Sequence, residues 1–397
     1  MSDFGSLLVI IAIAAATPLI VGLFRIKVAE VVLLLAGGVI FGPHVLGWIN
    51  VDDSIKLLSE LGLGMLFFLA GMELEPRAVR GRSGRLAASG WGISMLLAAG
   101  VSLVLSFAGE VQDTLGVAIA LTSTALGTLL PILRDAKELN TPFGTYFMGA
   151  GAWGEFGPIL AISLLLGAQN RFVAILTLVA FGLVALLLAA IPQRFATDRI
   201  RQLLDSGHHT SSQTAVRISM LLLIMLLAVA ASFGLDVVLG AFIAGIIVRR
   251  IAPPSEESNL TVRIEAIAFG FFIPVFFIVS GANLDVQSIA DNPGRLVLFF
   301  VLMALVRGLP QFFLYRGAIP NPRKRARFSL LVATALPIIV AVTSLEVETG
   351  IMLPQNAAAL VGAGALTVLF FPLIGNSLVK KLPPEPAVDQ DRAENTA

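Results

Sequence analysis

Long apolar stretches, each followed by a short polar connection, run along the chain from residue 4 to residue 379. Each stretch has about 18 to 25 residues, the length that a helix needs to cross the hydrocarbon core of a bilayer. The pattern predicts about thirteen membrane-spanning helices, at 4–24, 29–49, 56–74, 86–108, 114–133, 142–167, 172–192, 215–233, 235–251, 266–284, 294–315, 328–346 and 354–379. We therefore expect an all-α, polytopic membrane protein.

Two of these spans contain similar segments. TSTALGTLLP (Thr122–Pro131) lies in the fifth span and VATALPIIVA (Val332–Ala341) in the twelfth, and they share Thr-Ala-Leu. Because the two spans are seven apart, the copies point in opposite directions, as in transporters built from inverted repeats. The expected halves are about 1–167 and 214–381, joined by a linker span and loop at 168–213 within a transport domain at 1–382.

Both segments combine hydroxyl side chains with helix-breaking residues at mid-membrane depth. A broken helix at that depth must bury its free backbone groups in protein or expose them to a wet cavity, where the half-helix ends attract ions. The alternative is a kink in which Ser and Thr bond their own helix. The symmetric placement favours two crossed, unwound helices, interrupted at Thr122, Ser123, Thr124 and Gly127 and at Thr334 and Pro337.

Composition supports a membrane protein. Of the 397 residues 57% are hydrophobic and 13% are charged, and soluble domains have about a quarter charged residues. The net charge of +1 gives no indication of nucleic-acid binding, and the absence of Cys excludes disulfides and thiolate metal sites. We expect no cofactor.

The placement of charge predicts the orientation. Most Arg and Lys residues fall in the connections after odd-numbered spans, whereas the connections after even-numbered spans hold only Lys56, Arg171 and Arg295, together with acids such as Asp113 and Glu346. By the positive-inside rule, the N-terminus lies outside and the C-terminus in the cytoplasm. We expect the protein in the cell (inner) membrane, with a flexible tail at 383–397.

One acid lies deep in a span. Glu155 is about fourteen residues into the sixth span, near the bilayer midplane at roughly 1.5 Å per residue, within MGAGAWGEFGPILAI. Such an acid is protonated, paired or in contact with water. Small neighbours, Gly154 among them, leave room for a cation, and Pro158 frees a carbonyl one turn earlier. The alternative is a protonated Glu that only hydrogen-bonds a neighbouring helix.

Arg307 has the corresponding position in the other half, deep in the eleventh span. Because a guanidinium stays ionised in almost any protein, it needs an anion or dipoles. We expect Glu155 and the carboxyl ends of the broken helices as its partners. A purely structural anchor is the alternative.

Several segments resemble one family. FRIKVAEVVLLLAGGVIFGPHVLGWI, LSELGLGMLFFLAGMELEP, LTSTALGTLLPIL, GLDVVLGAFIAGIIV and PVFFIVSGANLD are similar, in order and spacing, to the second, third, fifth, ninth and tenth spans of the monovalent cation:proton antiporter superfamily. The chain is identified as a member of its second, prokaryote-rich branch, with a sodium/hydrogen exchanger membrane domain.

The resemblance implies a homodimer in the bilayer. Its interface domain would comprise spans 1–3 and 8–10, and its core domain spans 4–6 and 11–13. The core would carry a monovalent cation (Na+ or K+) and H+ alternately, in an elevator-type movement.

Relatives carry the ion on the second residue of an acidic or amide pair in the sixth span, where this chain has Gly154 and Glu155. Glu155 keeps the titratable group, and Gly154 removes a second acid, which predicts electroneutral exchange. Arg307 falls where relatives have Lys or Arg.

Other function classes fit less well. An intramembrane enzyme needs a nucleophile with a base, or a metal cluster, and the sequence has no HExxH motif, no Cys and no intramembrane His. A solute symporter of the same fold and a transport-impaired sensor or scaffold remain as alternatives.

Overall fold

The computed structural model describes residues 3–24, 29–74, 81–139, 141–166, 179–183, 213–233, 235–251 and 257–380. Almost all of the predicted linker at 168–213, and the whole predicted tail at 383–397, lie outside these ranges. The inverted halves and the flexible tail therefore stay predictions.

The described residues are helical, with no strand among them. The helices are α1 Asp3–Phe24, α2 Glu30–Phe41, α3 Asp53–Glu73, α4 Gly81–Phe107, α5 Thr114–Thr122, α6 Leu126–Asp135, α7 Pro142–Ala161, α8 Thr214–Ser232, α9 Val237–Ile251, α10 Glu257–Ile267, α11 Ile273–Ala282, α12 Val286–Asp291, α13 Pro293–Leu302, α14 Leu309–Leu314, α15 Pro322–Val332, α16 Pro337–Glu348 and α17 Pro354–Val379. Wider π turns extend α7 (Ile162–Leu166) and join α10 to α11 (Ala268–Phe272) and α13 to α14 (Met303–Gly308), and a 3-10 turn, Tyr315–Gly317, follows α14.

The predicted all-α, multi-pass membrane architecture is confirmed. Eight helical segments of the described residues are long and apolar enough to cross a membrane, and three of these segments each combine two of the helices named above. Every predicted span contains described helical residues, although only 179–183 of the seventh lie within the described ranges, the second is shorter than expected, and the fifth and twelfth are each divided in two. The count of thirteen stays a prediction.

The chain forms two compact units. Unit 1 contains Met1–Arg25, Leu34–Leu74 and Leu160–Asn283, and unit 2 contains Ile26–Leu33, Glu75–Ile159 and Leu284–Ala397. Unit 1 therefore has spans 1, 3 and 8–10 with most of span 2 and the end of span 6, and unit 2 has spans 4, 5 and 11–13 with the start of span 2 and most of span 6. This division is close to the interface and core domains that the resemblance implies.

Unit 1 is built on close backbone contacts between helices. A methyl group at Gly38 of α2 would overlap the Ile278 carbonyl of α11, and one at Gly71 of α3 would overlap the Phe242 carbonyl of α9. Small residues at such crossings let membrane helices pack backbone to backbone.

Unit 2 contains both broken helices. The first consists of α5 and α6, separated by Ser123–Ala125, and the second of α15 and α16, separated by Ala333–Leu336. Helices α6, α7 and α15 contribute to one apolar cluster. Its members are Leu126, Leu129, Leu130, Leu133, Phe143, Phe147, Ala150, Tyr315, Ile319, Phe328, Leu331 and Val332. The cluster fixes the three helices that carry the site described next.

Candidate ion-binding site

The two breaks are hydrogen-bonded to each other. The amide of Ala125 donates to the carbonyl of Thr334 at 2.8 Å, and the hydroxyl of Thr124 donates to the carbonyl of Val332 at 2.7 Å. Val332 is the last residue of α15, so this carbonyl is one that the helix itself leaves free. Each break thus satisfies part of the backbone that the other exposes, which allows unwound chain within a membrane protein.

The second break also depends on α17. The amide of Ala335 donates to the hydroxyl oxygen of Thr367 at 3.0 Å, and that hydroxyl lies 2.7 Å from the carbonyl of Gly364. Thr367 is not among the site residues that the sequence predicts. Its only signal is a lone hydroxyl in the run GALTVLFF, and such a hydroxyl is more often bonded within its own helix.

Glu155 lies at the amino end of half-helix α6. Its Oε1 accepts a hydrogen bond from the amide of Leu126 at 2.9 Å, and only 7% of its surface is exposed. Leu126 is the first residue of α6, and the preceding Ala125 provides no side-chain cap. Glu155 therefore caps α6 from another helix, where the positive end of the helix dipole favours a carboxylate.

Gly154, the residue before Glu155, is hydrogen-bonded to the first break through its carbonyl. Pro158 lacks an amide hydrogen, so the carbonyl of Gly154 has no partner four residues later in α7. That carbonyl accepts from the amide of Thr124 at 2.9 Å. The sequence predicts a freed carbonyl here, and in the structure this carbonyl joins α7 to the first break.

Arg307 lies in the π turn Met303–Gly308 and is 1% exposed. Pro310 follows it, and the bond from the Leu309 amide to the Ala304 carbonyl spans five residues, as a wide turn requires. Nε and Nη2 of Arg307 each donate to Thr124 Oγ1 at 3.2 Å, and Nη2 also donates to the carbonyl of Ala150 at 2.9 Å. Through Thr124, the guanidinium is linked to the carboxyl end of α15.

Gly154 leaves the space that Thr124 and Arg307 fill. A Cβ atom at this position would lie 2.7 Å from Arg307 Nη2 and closer still to the side chain of Thr124. Gly154 therefore packs directly against the guanidinium group of Arg307.

The other predicted site residues have different roles. The hydroxyls of Thr122 and Ser123 donate to carbonyls of their own helix, at 2.9 and 2.8 Å, which is the kink-type bonding considered as the alternative. Gly127 lies inside α6 and not in the break, so its predicted place in the interruption is wrong. The Thr334 hydroxyl bonds the Leu330 carbonyl at 3.1 Å, and Pro337 is the first residue of α16, where its missing amide is harmless.

The site thus brings together Thr124, Gly154, Glu155, Arg307 and the Thr334 carbonyl. The described part of the chain contains no group of three or more His, Cys, Asp or Glu side chains that could hold a metal ion. A monovalent cation at Glu155 would have one carboxylate and neutral oxygen atoms as ligands.

The sequence profile of one family, described as sodium/hydrogen exchanger, transmembrane, matches residues 9–381. The chain is 23% identical over 96% of its length to the putative Na+/H+ antiporter YjbQ of Bacillus subtilis, and 25% identical over 88% to the probable Na+/H+ antiporter 3 of Methanocaldococcus jannaschii. It is 24% identical over 88% to the glutathione-regulated potassium-efflux system protein KefC of Escherichia coli.

Some of these relatives are longer proteins. The match covers 90% of the Methanocaldococcus relative, but 64% of YjbQ and 56% of KefC. Among solved structures, the sodium proton antiporter MjNhaP1 of Methanocaldococcus jannaschii at pH 8 superposes with a TM-score of 0.62 at 18% identity, over 96% of this chain and 98% of that one. This likeness shows a shared fold.

Proposed function

The chain belongs to the sodium/hydrogen exchanger family, and we propose that it is a secondary transporter that exchanges a monovalent cation, Na+ or K+, for H+. Relatives named as Na+/H+ antiporters and as a potassium-efflux system support both cations as candidates. The observation that carries the proposal is the buried Glu155 carboxyl group, bonded to the amino end of a half-helix at the crossing of two broken helices.

The geometry supports competition between the two ions for one carboxylate. The Leu126 amide and the α6 dipole stabilise the ionised form of Glu155, which is the form that a cation binds. A proton binds the same group, so the two ions exclude each other. Moving a bare carboxylate through hydrocarbon is costly, so the site crosses the membrane only after Glu155 is neutralised by a proton or a cation.

Arg307 positions the break and is no proton carrier in this scheme. A guanidinium remains charged throughout the cycle, and its hydrogen bonds hold Thr124 and the Ala150 carbonyl in place. With Gly154 beside it, Glu155 is neutralised once per passage. Exchange is therefore one-for-one and electroneutral.

The wider assembly follows the family resemblance. In this proposal, unit 2 carries the ions in an elevator-type movement, and two copies of the chain form a homodimer in the cell membrane. The N-terminus lies outside and the C-terminus in the cytoplasm, as the distribution of basic residues predicts.

The direct test is a flux measurement in proteoliposomes. Purified protein, reconstituted with a pH-sensitive dye inside, should move H+ when a gradient of Na+ or K+ is applied, and the Glu155→Gln variant should not. Absence of coupled H+ movement for Na+, K+ and Li+ would overturn the proposal. It would leave the transport-impaired sensor or scaffold, or a symporter for an organic solute.

A further inference from the structure

Away from Glu155, two further acids of unit 2 are buried against each other. Asp113 directly precedes α5, and its Oδ1 accepts hydrogen bonds from the amides of Leu115 and Gly116 at 3.1 and 3.0 Å. Oδ1 thus caps the helix in the usual way. Asp113 is 6% exposed, and its second oxygen, Oδ2, has no hydrogen-bond donor.

The group that faces Asp113 is Glu346, in the last turn of α16. The charge pattern predicts that Glu346 lies in a polar connection, but α16 continues to Glu348 and Glu346 is 1% exposed. Neither oxygen of its carboxyl group has a hydrogen-bond donor. The carboxyl groups of Glu346 and Asp113 lie next to each other above Gly116.

Gly116 makes room for this contact. A methyl group at Gly116 would overlap both Glu346 Oε2 and Asp113 Oδ2, so the two oxygens lie over the same point of α5. The close approach is therefore built into the backbone of the helix that Asp113 caps.

Two carboxyl groups in contact cannot both stay ionised in a buried position without a donor or a cation. One proton between them creates a donor, and the resulting O–H···O bond satisfies oxygens that otherwise have no partner. A metal ion would find only these two acids, because the described residues hold no cluster of three possible ligands.

No basic group of the surrounding helices neutralises the pair. Within the described ranges of α5 and α17, which pack on α16, no side chain is ionisable. Of the elements that pack on α5, α4 has Arg82 and Arg85 at its opposite end, and Arg307 is bonded to Thr124 beyond the other end of α5. The charged residues nearest to the pair along the sequence are Glu348, exposed on α16, and Glu110, which pairs with Arg295 at 3.1 Å.

We propose that Asp113 and Glu346 share one proton and form a second proton-binding site, separate from Glu155, that fastens half-helix α5 to half-helix α16. Loss of the proton leaves two adjacent buried negative charges and weakens this contact. In the unfolded chain both acids ionise at about pH 4, so above that pH the folded protein holds one more proton than the unfolded chain. Its stability therefore decreases as the pH rises and the shared proton is lost.

The test is infrared spectroscopy of the full-length protein in detergent at neutral pH. Wild type should show a carboxylic-acid C=O band that is absent from the Glu346→Gln and Asp113→Asn variants. In each variant an amide donates to the remaining carboxylate, and Asn still caps α5. The matched control, Glu348→Gln, changes an exposed acid on the same helix and should keep the band.

Thermal unfolding at different pH values is the second measurement. The melting temperature of wild type should fall from mildly acidic to mildly alkaline pH, and that of Glu346→Gln should stay level.

The outcome is independent of transport. Persistence of the band in Glu346→Gln, or its loss in Glu155→Gln, would overturn the proposal by assigning the proton to another acid. Loss of the wild-type band on adding Na+, K+, Mg²⁺ or Ca²⁺ at constant pH would also overturn it and make the pair a cation site. If the variants fail to fold, ¹³C labelling of the aspartate and of the glutamate carboxyl groups, each in turn, in the Glu155→Gln protein replaces them. A band that shifts with neither label would overturn the proposal.

Discussion

Thr124 and Arg307 are joined by two hydrogen bonds, in which Nε and Nη2 of the guanidinium both donate to Thr124 Oγ1 at 3.2 Å. The same hydroxyl donates to the last carbonyl of α15 at 2.7 Å. One threonine therefore connects the π turn of the eleventh span to both broken helices, and the geometry next to Glu155 depends on it.

Replacing Glu155 by Gln should abolish coupled exchange and leave the fold intact. The amide oxygen of Gln can still accept from the Leu126 amide, but the side chain cannot release a proton. Dye-detected H+ flux in proteoliposomes measures the loss, and size-exclusion chromatography checks the fold. Glu60→Gln, at an exposed acid of α3, is the control and should retain exchange. Retained proton coupling in Glu155→Gln would place the carrier acid elsewhere.

Replacing Arg307 by Ala should reduce stability more than replacing it by Lys. Ala leaves Thr124 and the Ala150 carbonyl without their donors, and removing one partner of a buried charged network typically costs about 3–5 kcal/mol. Lys keeps the positive charge but lacks the planar, forked set of N–H donors that a guanidinium provides. Thermal unfolding measures the order, with the exposed Arg323→Ala as the control. Equal melting temperatures for wild type and Arg307→Ala would contradict the buried network.

Replacing Gly154 by Ala should destabilise the protein by about 1–3 kcal/mol, because the new methyl group overlaps Thr124 and Arg307. Gly100→Ala is the matched control: Gly100 lies inside α4 and a Cβ there meets no atom within 4 Å. Ala is the better helix former, so the control should be neutral or stabilising by up to about 1 kcal/mol. Unfolding curves that rank the two variants the other way would refute the packing role of Gly154.

Replacing Glu138 by Gln should cost more stability than replacing Glu110 by Gln. Both oxygens of Glu138 accept from Arg327 Nη1, at 2.8 and 2.7 Å, and the arginine side chain is only 5% exposed. We expect a loss of about 1.5–3 kcal/mol, the usual range for a charged hydrogen bond. Glu110 is half exposed in its pair with Arg295, so its loss should be below about 1 kcal/mol. Chemical denaturation compares the two variants, and equal losses would show that burial does not strengthen the Arg327 pair.

Membrane potential should change neither the direction nor the final extent of exchange, because each passage neutralises Glu155 once. A K+/valinomycin potential is applied to liposomes with equal Na+ on both sides, once K+ is known not to be a substrate. Sustained H+ movement that needs both Na+ and Glu155 would refute one-for-one exchange. Glu60 and Glu73 would be the first acids to examine, and Glu346→Gln would show whether the Asp113–Glu346 proton takes part.

The sequence predicts the residues of the candidate site, but it does not show which of their atoms are in contact. Glu155 and Arg307 stand out because charge is rare in apolar spans, and the breaks stand out because Thr-Ala-Leu occurs in both halves. Which atoms are in contact depends on how the helices pack, and no local sequence pattern encodes it. This applies to three contacts: the Leu126 amide with Glu155, the Ala150 carbonyl with Arg307, and Thr367 with the second break. Glu346 was misplaced because an acid near the end of a predicted span resembles a solvated cap.

The hydrogen bond from Thr124 to Val332 also has a consequence for biosynthesis. Its acceptor follows its donor by 208 residues, and at 5–20 residues per second the ribosome needs about 10 to 40 s to produce that length. Thr334, whose carbonyl accepts from the Ala125 amide, is synthesised after a similar delay. The first broken helix therefore enters the bilayer before its partners exist, and it reaches its final form only after the second has been inserted.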